Sequence, residues 1–388
     1  MVGLQKKEKK INEIELYIVA FLSLLPSGSI YEYIKLATVL IVFIEKGIRE
    51  DIKLNEVKFF VVLLPIFFTM CSWMLSLFHF IEDTSFLIHE TKRNLFICIV
   101  MVICLNLKVD FKSIYHLCIF FLCVNTLVQI LEFLKVEPVF DFIEKYYVSS
   151  EDGSVHLDLA KNKNFLTFRA GSIYLNPNVY MIIPLVCMCV FFQQSFIQKN
   201  VFNTGMIIVS LLSIFLAGSR TAFIIMFLLF LLYFINLNIK KESKLLYICI
   251  AIIIFLSFLP IGNKYRFFDI ASGVNNSLNV KLQIFFDYFK NINFISFMFG
   301  SLGIVNITQV DFEIAYIFAY YGVVGLLWFY CVVVNIKFKQ KKLKFLTVSI
   351  RLVQVFLSCT ATILLCMPIC TFFLAIAFSQ PVEMSKIN

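Results

Sequence analysis

The sequence predicts an all-α polytopic membrane protein with about eleven or twelve transmembrane helices. Three observations lead to this prediction. Of the 388 residues, 60% are hydrophobic and only 15% are charged, a balance typical of a membrane protein rather than of a soluble domain with an anchor. Apolar runs long enough to cross a bilayer recur along the whole chain. Lysine and arginine are concentrated in alternate loops between these runs.

The apolar runs are bounded by charges or by turn residues, and twelve can be distinguished. No small-residue cleavage site follows the first run, which predicts an uncleaved first span rather than a signal peptide. The last two runs are the least distinct, because Pro368 is also compatible with a kink in one long helix. The predicted spans are 14–27, 30–46, 58–78, 93–107, 114–134, 178–193, 201–217, 221–237, 245–260, 312–335, 346–360 and 362–379.

The distribution of basic residues predicts the orientation of the chain. The lysine-rich start and the alternate loops on its side together contain nineteen lysines and arginines. The short loops on the other side contain three, Lys92, Arg93 and Arg220. Because basic residues accumulate in cytoplasmic loops, the N-terminus is predicted to be cytoplasmic.

Two segments are too long to be simple connectors, and both fall on the predicted outer side of one transmembrane domain that spans residues 1–388. They are 135–177 and the larger 261–311. Long loops of this kind are usually functional. Within the second loop, residues 281–297 have apolar residues at helical spacing, which predicts an amphipathic helix. It would lie either at the membrane interface or across the mouth of the bundle.

Arg220 is the only charged residue between positions 200 and 239, and it lies in a tight turn between two predicted spans. This turn is predicted to face outward, against the bias of basic residues, so Arg220 is not a cytoplasmic retention charge. Two interpretations remain. Arg220 is either a functional group or a side chain that reaches lipid headgroups.

Other cations share the predicted outer side with Arg220, namely Arg169, Arg266 and Lys281. Such a set suits a polyanionic group such as a diphosphate, because guanidinium groups pair with phosphate oxygens through two hydrogen bonds. Asn178 is predicted to cap the helix that begins beside Arg169, and a helix N-terminus there would favour an anion.

Asp311 and Glu313 begin the span that follows the larger loop. Carboxylates in a first helical turn stabilise the helix dipole, and either residue is also a candidate proton acceptor. The sequence contains no zinc signature, phosphate-binding glycine loop or Ser/His/Asp arrangement. No metal, cofactor or nucleic-acid partner is therefore expected.

Four motifs occur in a fixed order along the chain: RAGSIYLNPN at 169–178, GSRT at 218–221, FGSLG at 299–303, and DFEIAYIFAYYGVVG at 311–325. In this order the chain resembles the bacterial O-antigen and capsular polysaccharide polymerases of the Wzy type. O-antigen ligases share the same plan. The resemblance covers the C-terminal half through these motifs and the N-terminal spans only in hydropathy.

The resemblance implies a metal-independent glycosyltransferase of the bacterial cytoplasmic membrane, which joins undecaprenyl-diphosphate-linked oligosaccharide repeat units at the outer face. A chain-length regulator and a flippase are the partners it implies. Arg169 and Arg220 would hold the diphosphate, with Arg266 as a helper, and Lys281 stands where relatives often have arginine. Ligases carry a histidine where this chain has Asp311 and Glu313, which favours a polymerase.

A transporter or flippase for a lipid-linked sugar is the main alternative. Transporters typically have charged residues at mid-membrane, broken helices and two similar halves. The sequence has few charges near mid-span and no repeat between its halves. An anchor without activity is a third possibility, but it gives no reason for the arginines on the predicted outer side.

Overall fold

The regular structure of this chain, taken from a computed structural model, is almost entirely helical. The structure describes residues 2–382 apart from 27–28, 50–51, 79–80, 82–83, 149–156, 159–160, 162–168, 239, 250–251, 253–289, 291, 302–312, 339, 360 and 362.

In the described part of the first half of the chain there are six α-helices and one short strand. The elements are α1 (Val2–Phe21), α2 (Ser29–Arg49), α3 (Glu56–Leu77), α4 (Thr84–Leu105), β1 (Lys108–Asp110), α5 (Phe111–Phe133) and α6 (Glu137–Tyr147).

The second half adds eight labelled helices and a strand, and residues 241–249 are also helical. The elements are α7 (Pro177–Tyr180), α8 (Ile182–Ile197), α9 (Val201–Ala217), α10 (Arg220–Asn236), α11 (Phe294–Phe299), α12 (Glu313–Asn335), α13 (Lys344–Ser358), α14 (Met367–Phe378) and β2 (Gln380–Val382).

Helices α8 and α14 form the centre of the bundle. Helix α8 packs against α5, α9 and α13, and α14 packs against α1 and α4. The apolar stretch of 177–197 is 78% buried, whereas that of 58–77 is only 33% buried. Small residues such as Ala375 and Ala377 allow the neighbours of α14 to approach closely. The central helices are therefore covered by protein, and α3 lies at the periphery.

Within the described residues, four helical stretches are long and apolar enough to cross a membrane: 58–77, 111–133, 177–197 and 313–335. Shorter apolar helices are α9, α10 and residues 369–378. Large apolar side chains point outward from the bundle, and the most exposed include Ile48, Leu77 and Val201. Lipid accommodates such a surface, whereas water disfavours it.

The structure moves the start of the fourth predicted span. Helix α4 begins at Thr84, nine residues before the predicted span, so Arg93 lies inside a helix rather than in a loop. The nearby Glu90 forms an ion pair with Arg93, and this pairing allows a charged residue to lie inside the helix.

At the C-terminus, α13 ends at Ser358 and α14 begins at Met367, so the last two predicted runs form two helices and not one kinked helix. The prediction for 245–260 lies mostly outside the described residues.

One end of the bundle, here called the basic end, gathers the N-terminus, the α2–α3 connection and both strands. Lys9 forms an ion pair with Asp110, and the strand that Asp110 ends, β1, pairs in parallel with β2. Lys46 Nζ lies 3.0 Å from Glu15 Oε2, which fastens α2 to α1. Gln193 donates to the Lys342 carbonyl at 3.0 Å. The loops predicted to be cytoplasmic thus contact one another.

The opposite end, here called the loop end, contains the starts of α4, α10, α12 and α14 and helix α6. Tyr147 of α6 donates to the Leu24 carbonyl at 2.7 Å, and Lys92 of α4 pairs with Glu32 of α2 at 3.1 Å. The Ala170 amide donates to the Leu216 carbonyl at 3.0 Å. Residues from both predicted outer loops therefore lie at this end.

Helix α12 is broken at Gly322, where φ is 62° and ψ is −155°. A Cβ atom at Gly322 would lie 2.5 Å from the Met298 carbonyl oxygen and 2.6 Å from the Gly300 nitrogen. Gly300 likewise has a positive φ of 76°, and its Cβ would lie 2.3 Å from the Tyr320 carbonyl oxygen. Two glycines thus allow the segment after α11 to touch the broken backbone of α12 directly. The FGSLG and YYGVVG motifs meet at this contact.

We expect Gly322→Ala to lower the free energy of unfolding by roughly 1–3 kcal/mol, because alanine is strained at this φ and its Cβ would collide with the backbone of 298–300. The measurement is the midpoint of thermal unfolding of the protein purified in detergent.

Gly205→Ala on α9 is the matched control, since its Cβ would meet nothing within 4 Å. It should leave the midpoint unchanged or raise it, because alanine is a better helix former than glycine. Equal midpoints for the two variants would contradict the close approach at Gly322.

Candidate functional site

The two arginine-bearing motifs are joined by one side chain at the loop end. The amide oxygen Oδ1 of Asn178 accepts hydrogen bonds from Arg169 Nη2 at 3.0 Å and from Ser219 Oγ at 3.1 Å. Ser219 precedes Arg220, the first residue of α10. The predicted ligands Arg169, Arg220 and Asn178 therefore lie at the same place, as one arginine–asparagine cluster.

The GSRT turn is built from ordinary helix-ending chemistry. Gly218 adopts a left-handed conformation with φ of 58°, and its amide donates to the carbonyls of Ile214 and Phe215 at the end of α9. Ser219 then caps α10 through its hydroxyl, which accepts from the Ala222 amide at 3.5 Å. This geometry forces Arg220 into the first turn of α10.

A cation in a first helical turn opposes the helix dipole, at a cost of about 0.3–1 kcal/mol. An anion bound there would offset this cost, because it would meet both the guanidinium group and the positive helix end. Arg220 is half-buried at this position. The position of Arg220 thus suits anion binding better than it suits helix stability.

The segment before Asn178 is a compact turn that brings Arg169 to the cluster. Gly171 is required here, because a Cβ atom would lie 2.1 Å from the Leu175 carbonyl oxygen. Ser172 and Leu175 have positive φ values of 52° and 59°, which are unfavourable for residues with a side chain. Strained turns of this kind are common at binding sites.

Helix α5 supports this turn through a polar face that the sequence analysis did not identify. Glu132 Oε2 accepts from the Ser172 amide at 3.1 Å, and Asn125 Oδ1 accepts from the Ser172 hydroxyl at 2.9 Å. Gln129 donates to the Ala170 carbonyl at 3.2 Å. The signal was present in the sequence, since positions 125, 129 and 132 share one face of an otherwise apolar helix.

A second set of bonds extends from Gln129 to α7 and α9. Gln129 donates to the Ser213 carbonyl at 3.3 Å, and the Ser213 hydroxyl donates back to Gln129 Oε1 at 2.7 Å. The hydroxyl groups of Ser213 and Tyr180 are 2.6 Å apart. All three side chains are buried. The turn is therefore anchored to three helices of the bundle.

The prediction that Asn178 caps the following helix is wrong. Helix α7 begins at Pro177, and its cap is Asn176, whose side chain accepts from the Asn178 amide at 2.9 Å. Proline fits the first helical position because it lacks the amide hydrogen that would have no partner there. The Asn178 side chain is consequently available to join Arg169 and Ser219.

Glu313 is fully buried at the start of α12 and accepts four hydrogen bonds. Its oxygen Oε1 accepts from the amides of Ile363 and Leu365 at 2.8 and 3.0 Å. Its oxygen Oε2 accepts from Ser358 Oγ at 2.6 Å and from Gln354 Nε2 at 3.4 Å. This arrangement joins α12 to α13 and to the connection before α14. It favours a structural role over proton transfer.

The remaining predicted site residues, Arg266, Lys281 and Asp311, lie outside the described residues. Within the described part of the chain, no three His, Cys, Asp or Glu residues are grouped closely enough to hold a metal ion.

A second charged cluster, here called the Glu90 cluster, lies between α4 and α12. Arg93 forms a buried ion pair with Glu90 and donates to the Tyr321 hydroxyl at 3.3 Å. Glu90 also accepts from the hydroxyls of Tyr321 at 3.1 Å and Tyr316 at 3.4 Å. The Arg93 guanidinium lies 5.4 Å from the centre of the Tyr316 ring. From the sequence alone, Arg93 is predicted to be only a loop charge.

The fold and these sites define a predominantly helical, membrane-embedded protein with buried ionic groups. Among known proteins, no family, no characterised sequence and no solved structure matches the chain.

We expect Gln129→Leu to lower the free energy of unfolding by about 1–3 kcal/mol, because the buried Ala170 carbonyl and the Ser213 hydroxyl would lose a partner. Thermal unfolding in detergent measures the effect. Gln198→Leu, at an exposed position just after α8, is the control and should change the midpoint little. A midpoint unchanged by Gln129→Leu would show that these bonds do not hold the turn.

Proposed function

We propose that this chain is a polysaccharide polymerase, a glycosyltransferase that joins undecaprenyl-diphosphate-linked oligosaccharide repeat units. In this proposal the chain has about eleven or twelve transmembrane helices and a cytoplasmic N-terminus in a bacterial cytoplasmic membrane. The loop end then faces outward, on the side predicted for the loops 135–177 and 261–311.

The observation that carries the proposal is the double hydrogen bond to Asn178. Through this bond the side chain of Arg169 and the turn that carries Arg220 lie together at the N-terminus of α10. Two guanidinium groups and a helix N-terminus suit the oxygens of a diphosphate, which accept paired hydrogen bonds. Partial burial strengthens these interactions relative to water.

The reaction would transfer the growing chain to an incoming repeat unit. A hydroxyl oxygen of the acceptor sugar attacks the anomeric carbon of the donor, and the bond from that carbon to the diphosphate oxygen breaks. The diphosphate leaves with the bonding electrons and stays on its lipid, so negative charge develops where Arg169 and Arg220 stabilise it. The arginines thus take the charge-stabilising role that a metal ion has in other enzymes.

The proton of the attacking hydroxyl passes to a base, for which Asp311 is our candidate. Glu313 is the weaker candidate, because four hydrogen bonds already satisfy its carboxylate. Arg266 and Lys281 of the larger loop are proposed as further diphosphate ligands.

A transporter for lipid-linked sugars is the second candidate, and two observations favour it. The Glu90–Arg93 pair is a buried charge pair within helices, and α12 is broken at Gly322. Both features occur in transporters.

Purified protein in detergent, supplied with lipid-linked repeat units, distinguishes the two candidates because detergent abolishes any gradient. A polymerase elongates the chain, which a gel resolves as a ladder of products. If no product longer than the added repeat forms while the protein stays folded, the polymerase proposal is wrong.

We expect Arg220→Ala to reduce long polysaccharide at least a hundredfold, in line with the loss of about 3 kcal/mol for one stabilising group at a transferring centre. Arg220→Lys should also lose most polymer, because lysine keeps the charge but not the paired hydrogen bonds. The measurement is a ladder gel of polysaccharide from cells that express each variant at wild-type level.

Lys145→Ala is the matched control, since Lys145 is an exposed cation on α6 at the same end of the bundle. It should leave the ladder unchanged. Full-length polysaccharide in Arg220→Ala cells with normal expression would refute the role of Arg220.

A further inference from the structure

Three buried polar atoms near the Glu90 cluster have no hydrogen-bond partner among the described residues. They are Arg93 Nε, the Tyr320 hydroxyl and Ser301 Oγ. The exposed fractions of these residues are 7%, 2% and 4%. Buried polar groups are almost always paired, and each exception calls for an explanation. A ligand that supplies the missing partners is one such explanation.

The three residues come from separate parts of the chain. Ser301 and Tyr320 come together where the backbone at Gly300 touches the backbone at the α12 break. Ser301 follows Gly300, and its amide donates to the Ala319 carbonyl at 2.9 Å, one residue before Tyr320. The Tyr320 ring stacks on Tyr316 with centroids 5.0 Å apart, and the Tyr316 hydroxyl bonds to Glu90. The break at Gly322 therefore places two hydroxyl groups, which have no partner among the described residues, beside charged and aromatic side chains.

The chemistry of this surface suits a neutral, hydroxyl-rich group. Glu90 and Arg93 cancel in charge, and the Glu90 carboxylate would repel a second anion. A sugar hydroxyl can accept from Arg93 Nε and donate to a carboxylate or hydroxyl oxygen. Sites for such ligands combine aromatic faces with a few fixed polar groups, and Tyr316 and Tyr320 supply the aromatic faces here.

The location also fits a sugar attached to a membrane lipid. Glu90 lies six residues into α4, so it is about 9 Å below the start of that helix at the loop end. Tyr316 and Tyr320 lie in the first two turns of α12, which begins at the same end. The Glu90 cluster therefore lies within about two helical turns of the loop end.

We propose that the Glu90 cluster, together with Tyr320 and Ser301, binds a sugar of the lipid-linked oligosaccharide, separately from the diphosphate. This inference rests on the proposed function for its ligand. It assigns sugar recognition to α4, α12 and the segment after α11.

The test compares two probes on the full chain purified in detergent. One probe is the lipid-linked repeat extracted from cells in which this gene is deleted, and the other is undecaprenyl diphosphate without sugar. We expect Tyr320→Phe and Ser301→Ala each to weaken binding of the sugar-bearing probe about fivefold, the value of one lost hydrogen bond. Binding of the sugar-free probe should not change.

The midpoint of thermal unfolding distinguishes a hydroxyl that contacts the ligand from one that stabilises the fold. Each substitution removes a hydroxyl that has no partner in the described part of the protein, so the midpoint of thermal unfolding should stay the same or rise. Tyr330→Phe, on the exposed side of α12, is the control for the first variant. Ser349→Ala, which removes a buried unpaired hydroxyl from α13, is the control for the second. Neither control should alter the binding of either probe.

The inference is overturned if Tyr320→Phe and Ser301→Ala bind the sugar-bearing probe as tightly as the wild type does. It is also overturned if the two substitutions weaken the binding of both probes equally. A lowered unfolding midpoint would also overturn it, because the hydroxyl would then have a structural partner. Arg220→Ala, measured in the same assay, reports on the proposed function alone. If Arg220→Ala binds both probes normally, the diphosphate assignment fails whatever the Tyr320 result.

Discussion

The amide oxygen of Asn178 is the point on which the arginine–asparagine cluster depends. It accepts from the guanidinium group of Arg169 and from the hydroxyl of Ser219, so one atom connects the turn before α7 to the turn between α9 and α10. Its position is fixed in turn by Asn176, which caps α7 and holds the Asn178 amide. The Ala170–Leu216 and Tyr180–Ser213 hydrogen bonds hold the same two segments together, and the Asn178 amide oxygen adds the bond to the turn that carries Arg220.

The charged residues near the arginine–asparagine cluster and at the start of α12 differ in burial and in bonding. Glu313 and Glu132 accept hydrogen bonds from backbone amides, and Glu313 in addition has no unsatisfied oxygen. Such groups stabilise the fold, because a carboxylate in an apolar interior is tolerated only when its oxygens are bonded. Arg169 and Arg220, by contrast, remain half-buried at the loop end. That difference is why we assign substrate binding to the arginines and structural roles to the two glutamates.

Much of this arrangement could be predicted from the sequence. The apolar runs predict helices, and the lone Arg220 predicts a turn that the structure places beside Arg169 and Asn178. The polar face of α5 was missed because Asn125, Gln129 and Glu132 are separated by apolar residues, and their partners are far away in the chain. The Glu90–Arg93 pair was missed because a charge is normally expected to end a span. The three-dimensional structure shows that the neighbouring Glu90 carboxylate pairs with Arg93, so that this charge does not end the helix.

The break in α12 bears on the choice between an enzyme and a transporter. Transporters use broken helices as moving parts, and movement requires that the contacts across the break can separate. Here the backbone of Gly300 lies directly against Tyr320, and the Ser301 amide bonds to the Ala319 carbonyl. Phe68 stacks on Tyr321 at 4.4 Å, which adds a contact from α3. Because the segment after α11 and helix α3 both hold the break in one conformation, it is better suited to shape a fixed binding surface than to act as a hinge. In the proposed glycosyltransferase, a fixed surface of this kind would orient the acceptor sugar.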